Sequence, residues 1–125
     1  MNTPEYPSVR DLWEERAALW ADREFLVHED PDTSKVERYT YARMDREMKA
    51  AASMFASLGV EAGDRVGLHM CNRPEFVECF LALAAIGAVI VPIGPASTAA
   101  ECALVVEECG IRVLVSEFPE DSGSL

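Results

Sequence analysis

Residues 65–93, RVGLHMCNRPEFVECFLALAAIGAVIVPI, contain the pattern that decides the fold. The apolar residues of 65–70 predict a strand, and the helix-like apolar run Pro74–Ile86 predicts a helix that Gly87 ends. The continuous apolar run 88–92 predicts a second strand, covered on both faces. A strand, a helix and a strand joined by short links are typical of a βαβ unit.

The same alternation continues towards the C-terminus. Thr98, with Glu101 three residues later, forms a capping box that predicts a helix to Cys109, and Gly110 terminates it. Residues 113–115 then form a third continuous apolar strand. The sequence therefore predicts an α/β fold built on a βαβαβ unit, with a parallel sheet and right-handed crossovers.

Towards the N-terminus the sequence predicts a helix followed by a β-hairpin. Ser8 is a favoured N-cap residue, and Asp11 lies three positions later in a capping-box arrangement. The run 25–29 predicts a strand, and residues 36–40 predict its partner after a turn rich in Asp, Pro and Ser. These elements are expected to flank the parallel sheet.

Residues 41–59 give the clearest helical pattern in the chain. Gly59 is placed to end that helix in a left-handed conformation. The expected buried face comprises Met44, Met48, Ala51, Ala52, Phe55 and Leu58. We expect one α/β subdomain over residues 1–120 and a flexible polar tail at 121–125.

Composition excludes several classes of partner. The chain has 125 residues and a formal net charge of −11, from 22 acidic and 11 basic residues. Such a surface repels nucleic acids and anionic membranes. No apolar run is long enough to span a membrane, and the N-terminus lacks a signal segment, so we expect a cytoplasmic protein. The cysteines lack C-x-x-C spacing and are expected to be reduced thiols, namely Cys71, Cys79, Cys102 and Cys109.

The polar corner, residues 71–75, lies between the first predicted strand and its helix. Asn72 is a favoured N-cap with Glu75 three positions later, and Pro74 fits the first turn because it has no N–H to leave unpaired. The corner therefore has a structural explanation. It also has a functional one, because ligands of open parallel sheets bind beyond the carboxyl ends of the strands.

The loop after the second strand leaves the same two interpretations open. Ile93, Gly94 and Pro95 follow that strand, and a ligand could approach the backbone of Gly94 closely because it lacks a side chain. The alternative is a simple turn built from Gly and Pro.

Common catalytic and phosphate-binding motifs are absent from the sequence. It contains no G-x-G-x-x-G, no G-x-x-x-x-G-K-[ST] and no G-x-S-x-G motif. His28 is isolated, and His69 is interpreted as a structural, half-buried strand residue. A response-regulator receiver is rejected because the strands do not end in the required acidic residues.

The order of motifs resembles the N-terminal region of adenylate-forming acyl-CoA synthetases, the AMP-binding ligases. The matching pieces are Tyr-Thr-Tyr at 39–41, Leu-Gly-Val at 58–60, Gly-Asp-Arg-Val at 63–66, Asn-Arg-Pro-Glu-Phe at 72–76 and Gly-Ala-Val-Ile-Val-Pro-Ile at 87–93. Within that family the chain is most similar to carnitine- or crotonobetaine-CoA ligases, notably in Val-Arg-Asp-Leu-Trp at 9–13 and Leu-His at 68–69.

The resemblance implies a reaction in two halves. ATP and a carboxylate form an acyl-adenylate and pyrophosphate, and the thiol of coenzyme A then displaces AMP. The full-length family uses ATP, Mg²⁺ and coenzyme A, but its Ser/Thr/Gly-rich phosphate loop and catalytic lysine are absent here, so we expect no cofactor to bind this chain alone. By the same resemblance, Ile93, Gly94 and Pro95 lie on the coenzyme A side, while Ala96 stands where relatives often have Arg.

Two functions are consistent with these observations. The chain is either the N-terminal segment of an acyl-CoA ligase, inactive by itself, or a free-standing interaction or oligomerisation module derived from that family. Its partner would be the remainder of the ligase or a second copy. If the three strands lie in sequential order, both crossover helices cover one face, and the bare face or edge predicts self-association.

Overall fold

The computed structural model describes residues 8–118, which form four helices and two sheets. The helices are α1 (Val9–Leu19), α2 (Tyr41–Ser57), α3 (Pro74–Ile86) and α4 (Ala99–Cys109). The strands are β1 (Glu24–Glu29), β2 (Val36–Thr40), β3 (Arg65–His69), β4 (Val89–Ile93) and β5 (Val113–Ser116). The predicted elements are all present, with ends shifted by one residue at β1, β3, β4 and β5. The tail predicted at 121–125 lies outside the described residues.

Local hydrogen bonds set the predicted helix ends. The Ser8 hydroxyl accepts from the Asp11 amide, and Thr98 and Glu101 form the complete capping box of α4. Gly87 and Gly110 follow α3 and α4 in the left-handed conformation, at φ of 85° and 63°, which glycine adopts without the steric cost of a Cβ. These predictions are confirmed.

The hairpin and the parallel sheet are confirmed, and the three parallel strands do not lie in sequential order. Strands β1 and β2 pair antiparallel, whereas β3 pairs in parallel with both β4 and β5, so the order is β4-β3-β5. The crossover from β3 to β4 therefore runs in one direction along the sheet, and the crossover from β4 to β5, which passes β3, runs in the other. Right-handed connections then place α3 and α4 on opposite faces of the sheet.

Side chains of the central strand show these two faces. Val66 and Leu68 are fully buried in the core that includes α2 and α3 residues. Gly67 and His69 point the other way, because successive strand residues alternate, and the His69 ring lies 3.8 Å from the Cys102 thiol of α4. Helix α4 thus covers the face that a sequential order would have left bare.

The core on the first face is built mainly by α2 and α3. Met44 and Phe55 of α2 and Leu83 of α3 are fully buried. Leu58, predicted on the same face of α2, is the C-cap residue of that helix and is 52% exposed. Helix α1 joins this core through an indole N–H of Trp13 that donates to the Asp45 carboxylate at 2.9 Å.

Two further predictions concern the cysteines and membranes. None of the four cysteines, which all lie within residues 8–118, forms a disulfide, and Cys79 and Cys102 are buried like small apolar residues. Among residues 8–118, no helix is both long enough and apolar enough to cross a bilayer.

Candidate functional site

The candidate site is the edge of the parallel sheet where β3, β4 and β5 end. Because the three strands are parallel, their carboxyl ends meet at one edge, where ligands of such sheets bind. The loops that follow them carry the polar corner, Gly94 and Pro95, and Glu117 with Phe118. The structure therefore brings together the segments that the sequence predicted, and adds the loop after β5.

The predicted capping box of α3 is wrong. The N-cap of α3 is Arg73 rather than Asn72, in an extended conformation (φ −146°, ψ 168°), and it makes no side-chain capping hydrogen bond. Pro74 occupies the first helical position as predicted, and a proline disfavours helical geometry in the residue before it. The helix boundary therefore falls directly before Pro74, which leaves Asn72 one residue too early to cap it.

Glu117 holds the polar corner instead. Its carboxylate accepts a short hydrogen bond from the Cys71 amide and forms an ion pair with Arg73 at 2.9 Å. The Glu117 amide in turn donates to the His69 carbonyl at 3.2 Å. The hydrogen bond from Cys71, together with the nearby Arg73 guanidinium, lowers the pKa of Glu117 despite its partial burial. A residue at the end of β5 thus fixes the loop after β3.

Sequence reasoning did not single out Glu117. Its partners Cys71 and Arg73 are more than forty residues away in the chain, so no local spacing links them. The available signal was positional, because a carboxylate directly after a predicted parallel strand lies at the ligand edge of the sheet.

His69 is a buried structural residue, as predicted, although its burial is complete rather than partial. Its Nδ1 lies 3.0 Å from the Ser116 hydroxyl, and the Phe118 ring packs at 5.1 Å between centroids. With the Cys102 thiol also in contact, the imidazole is enclosed by β5 and α4. It cannot reach a ligand at the surface without a rearrangement of these neighbours.

The three residues predicted on the coenzyme A side differ in their environments. Ile93 is the last residue of β4 rather than a loop residue, and it is buried. Gly94 and Pro95 are exposed, and the Gly94 carbonyl accepts from the Ser97 amide at 3.0 Å, which closes a turn. A Cβ on Gly94 would meet only the Ser97 hydroxyl, at 3.7 Å. The turn itself therefore does not require glycine, and contact with coenzyme A stays a prediction.

The hairpin adds two clefts beside the polar corner. One, of about 260 Å³, is mainly apolar and lies between Leu26 of β1 and Phe76 and Val77 of α3. The other, of about 170 Å³, is polar and includes Lys35, Glu37 and Arg73 among its lining residues. This polar cleft is lined by side chains of both charges. Its lysine and arginine side chains already lie near carboxylates, Lys35 at 3.7 Å from Glu37 and Arg73 at 2.9 Å from Glu117. The clefts therefore show no strong preference for an anion.

Glu78 has a perturbed acidity but lies away from the sheet edge. Its burial raises its pKa to about 6, and the neighbouring carboxylates of Glu47 and Glu75 add to the increase. Perturbed acids occur at functional sites and also in structural charge clusters. The charges around Glu78 belong to α2, α3 and β2, so we assign it to the packing of these elements.

The comparisons with known proteins agree with the resemblance seen in the sequence. The family model of AMP-binding enzymes matches residues 13–124. The crotonobetaine/carnitine–CoA ligase of Salmonella arizonae is 35% identical over 111 residues, which cover 89% of this chain and 21% of that protein. The Salmonella paratyphi B enzyme is also 35% identical, with 87% and 21% covered. The chain thus spans about a fifth of the length of these relatives.

Solved structures share the fold. The N-terminal subdomain of Klebsiella oxytoca NpsA superposes with a TM-score of 0.77 at 27% identity, covering 88% of this chain and 27% of that one. The N-terminal domain of FACL13 from Mycobacterium tuberculosis gives a TM-score of 0.76 at 30% identity, with 87% and 26% covered. Both likenesses confirm the predicted fold class.

Proposed function

Because the chain belongs to the AMP-binding enzyme family, we propose that it forms the N-terminal segment of an ATP-dependent acyl-CoA ligase and is inactive by itself. The observation that carries the proposal is the match of 89% of the chain to 21% of a crotonobetaine/carnitine–CoA ligase. The complete enzyme would join a carboxylate to AMP with release of pyrophosphate. Coenzyme A would then displace AMP to give the acyl-CoA.

The described residues do not fit a magnesium–nucleotide site. Residues 8–118 contain no group of three or more His, Cys, Asp or Glu side chains arranged to hold a metal ion. Phosphoryl chemistry also needs preorganised cations around the phosphates. At the sheet edge, Arg73 is already paired with Glu117 at 2.9 Å. We therefore assign residues 8–118 no step of the adenylation.

The proposed contribution of the chain is structural and positional. The Glu117 contacts hold the loops after β3 and β5 together, and the turn after β4 presents Gly94 and Pro95 to solvent beside them. We propose that this turn faces coenzyme A in the complete enzyme. Ala96 supplies no charge there, so the contact would be made through backbone and shape rather than through a phosphate ion pair. The cytoplasmic location remains a prediction.

The activity test compares the isolated chain with a chimera. In the chimera, this chain replaces the matching fifth of the Salmonella arizonae ligase. With ATP, Mg²⁺, coenzyme A and crotonobetaine, we expect AMP release from the chimera and none above background from the isolated chain. The ligase lacking its matching fifth is the control. AMP release by the isolated chain, or a folded chimera without activity, would contradict the proposal.

The second candidate function is a non-catalytic interaction module. Exposed apolar side chains, including Phe80 and Val89, favour it, because unpaired apolar surface promotes association. Sedimentation velocity of the isolated chain distinguishes the cases. A stable dimer together with an inactive chimera would support the module, whereas a monomer with an active chimera would support the ligase segment.

A further inference from the structure

Helix α3 is apolar on every side over its last two turns. After Glu78 its sequence is CFLALAAI, without a polar side chain. The other three helices carry charged residues along their lengths, such as Glu14 in α1, Arg46 in α2 and Glu108 in α4. A helix that is apolar all round is normally covered on all sides, whereas a surface helix keeps a polar face.

The described residues bury one side of α3 and cover the other side only in part. Cys79, Ala82 and Leu83 are buried against the core. Val77, Leu81 and Ala84 lie on the opposite side and are partly buried, and Phe80 lies at the edge of that side; these four residues form the outer stripe of α3. None of the four is fully buried, and Phe80 is 41% exposed.

The surroundings of the outer stripe extend this apolar surface. Leu81 lines a cleft of about 300 Å³ together with Leu12 and Trp13 of α1 and Phe25 of β1. One turn earlier, Val77 lines the cleft of about 260 Å³ that it shares with Leu26. The stripe is therefore continuous with recessed apolar surface.

A second exposed apolar residue shows what an ordinary surface position looks like. Leu104 of α4 is 54% exposed, more than Phe80. It lies between Glu101 and Glu108, three residues after one and four before the other, so it stands alone on a charged face. Single exposed apolar residues of this kind are normal and need no partner.

We propose that the outer stripe of α3 is the docking surface for an apolar face of the polypeptide that completes the ligase subdomain. The inference rests on the proposed function. The chain matches 27% of the NpsA N-terminal subdomain, so nearly three quarters of that subdomain is polypeptide outside the matching fold. The occupant must present apolar side chains to α3. A second copy is a poorer occupant, because each copy carries a net charge of −11 and two copies repel.

The test co-expresses the tagged 125-residue chain with the Salmonella arizonae ligase lacking its matching fifth. Wild-type, Phe80→Glu and Leu104→Glu chains are compared by pull-down and by titration of the purified proteins. We expect the wild-type chain to bind and Phe80→Glu to bind at least about tenfold more weakly, as for a buried aromatic anchor. The matched control, Leu104→Glu, should bind like the wild-type chain. Circular dichroism checks that all three chains fold alike.

Three outcomes would overturn the assignment. The first is that the wild-type chain does not bind the truncated ligase. The second is that Phe80→Glu binds it as tightly as the wild-type chain does. The third is that Phe80→Glu and Leu104→Glu lose the same amount of binding affinity. A wild-type dimer that Phe80→Glu converts to a monomer would show that the stripe pairs two copies instead. Binding that depends on Phe80 but gives no AMP release would contradict the proposed ligase function while supporting the docking surface.

Discussion

Replacing Glu117 with glutamine removes its charge while keeping an oxygen that can accept the Cys71 hydrogen bond. In the structure, the Glu117 side chain is 18% exposed and that of its ion-pair partner Arg73 is 44% exposed. A hydrogen bond to a charged group contributes about 1.5–3 kcal/mol, and one between neutral groups about 1 kcal/mol. A partly exposed ion pair adds up to about 1 kcal/mol. We therefore expect Glu117→Gln to lower the free energy of unfolding by about 1–2 kcal/mol at neutral pH.

The pH dependence of that loss follows from the direction of the pKa shift. The pKa of Glu117 is lowered in the folded chain, chiefly by the hydrogen bond from the Cys71 amide. Its stabilising contribution is therefore complete above the pKa of the unfolded chain, about 4.3, and is lost as the pH falls through the folded value. The difference between wild type and Glu117→Gln should be constant above about pH 6 and should shrink below about pH 4.5.

Urea unfolding followed by tryptophan fluorescence, at a series of pH values, measures this difference. The control is Glu24→Gln on the hairpin, where the Glu24–Arg38 ion pair is equally short, at 3.0 Å, but both side chains are more than half exposed. We expect Glu24→Gln to lower the free energy of unfolding by less than about 0.5 kcal/mol. The assignment of Glu117 as the residue that holds the polar corner would be refuted if Glu117→Gln lowered the free energy of unfolding by no more than the control does. It would also be refuted if that decrease did not depend on pH.

Two glycine substitutions test the packing on the α4 face of the sheet and the turn that is proposed to face coenzyme A. A Cβ on Gly67 would lie 2.8 Å from Leu114 Cδ1 and 3.1 Å from Ile111 Cδ1, so Gly67→Val should lower the free energy of urea unfolding by about 1–3 kcal/mol through overpacking. An unchanged unfolding midpoint would contradict this packing. A Cβ on Gly94 meets only Ser97, so Gly94→Ala should alter stability by less than about 0.5 kcal/mol. In the active chimera it should raise KM for coenzyme A and leave pyrophosphate release unchanged; equal KM values would remove the turn from the proposed contact.

Much of the secondary structure could be predicted because its determinants are local. The Thr98–Glu101 capping box and the left-handed Gly87 and Gly110 depend on hydrogen bonds and backbone angles within one helical turn. The same holds for the alternation of strand and helix that predicted the parallel sheet. The family resemblance rests on these local motifs in a fixed order, and the comparisons confirm it.

The candidate site was predicted only in part. Its position at the carboxyl edge follows from parallel strands, but its organisation depends on Glu117, which lies 46 residues from the Cys71 amide it binds. The predicted cap at Asn72 failed because the conformational restriction before Pro74 decided the helix boundary. The burial of His69 likewise depends on α4 and β5, which are distant in sequence.

The sequence by itself determined which segments are helices and strands, that the main sheet is parallel, and to which family the chain belongs. Only the tertiary structure decided that β3 is the central strand, that α4 covers the second face, and that α3 keeps an apolar stripe that is only partly covered. The physical reason is that caps and hydrophobic periods act over a few residues. A crossover connection, in contrast, permits the next strand to pair on either side of the sheet, and the packing of distant side chains selects between the two.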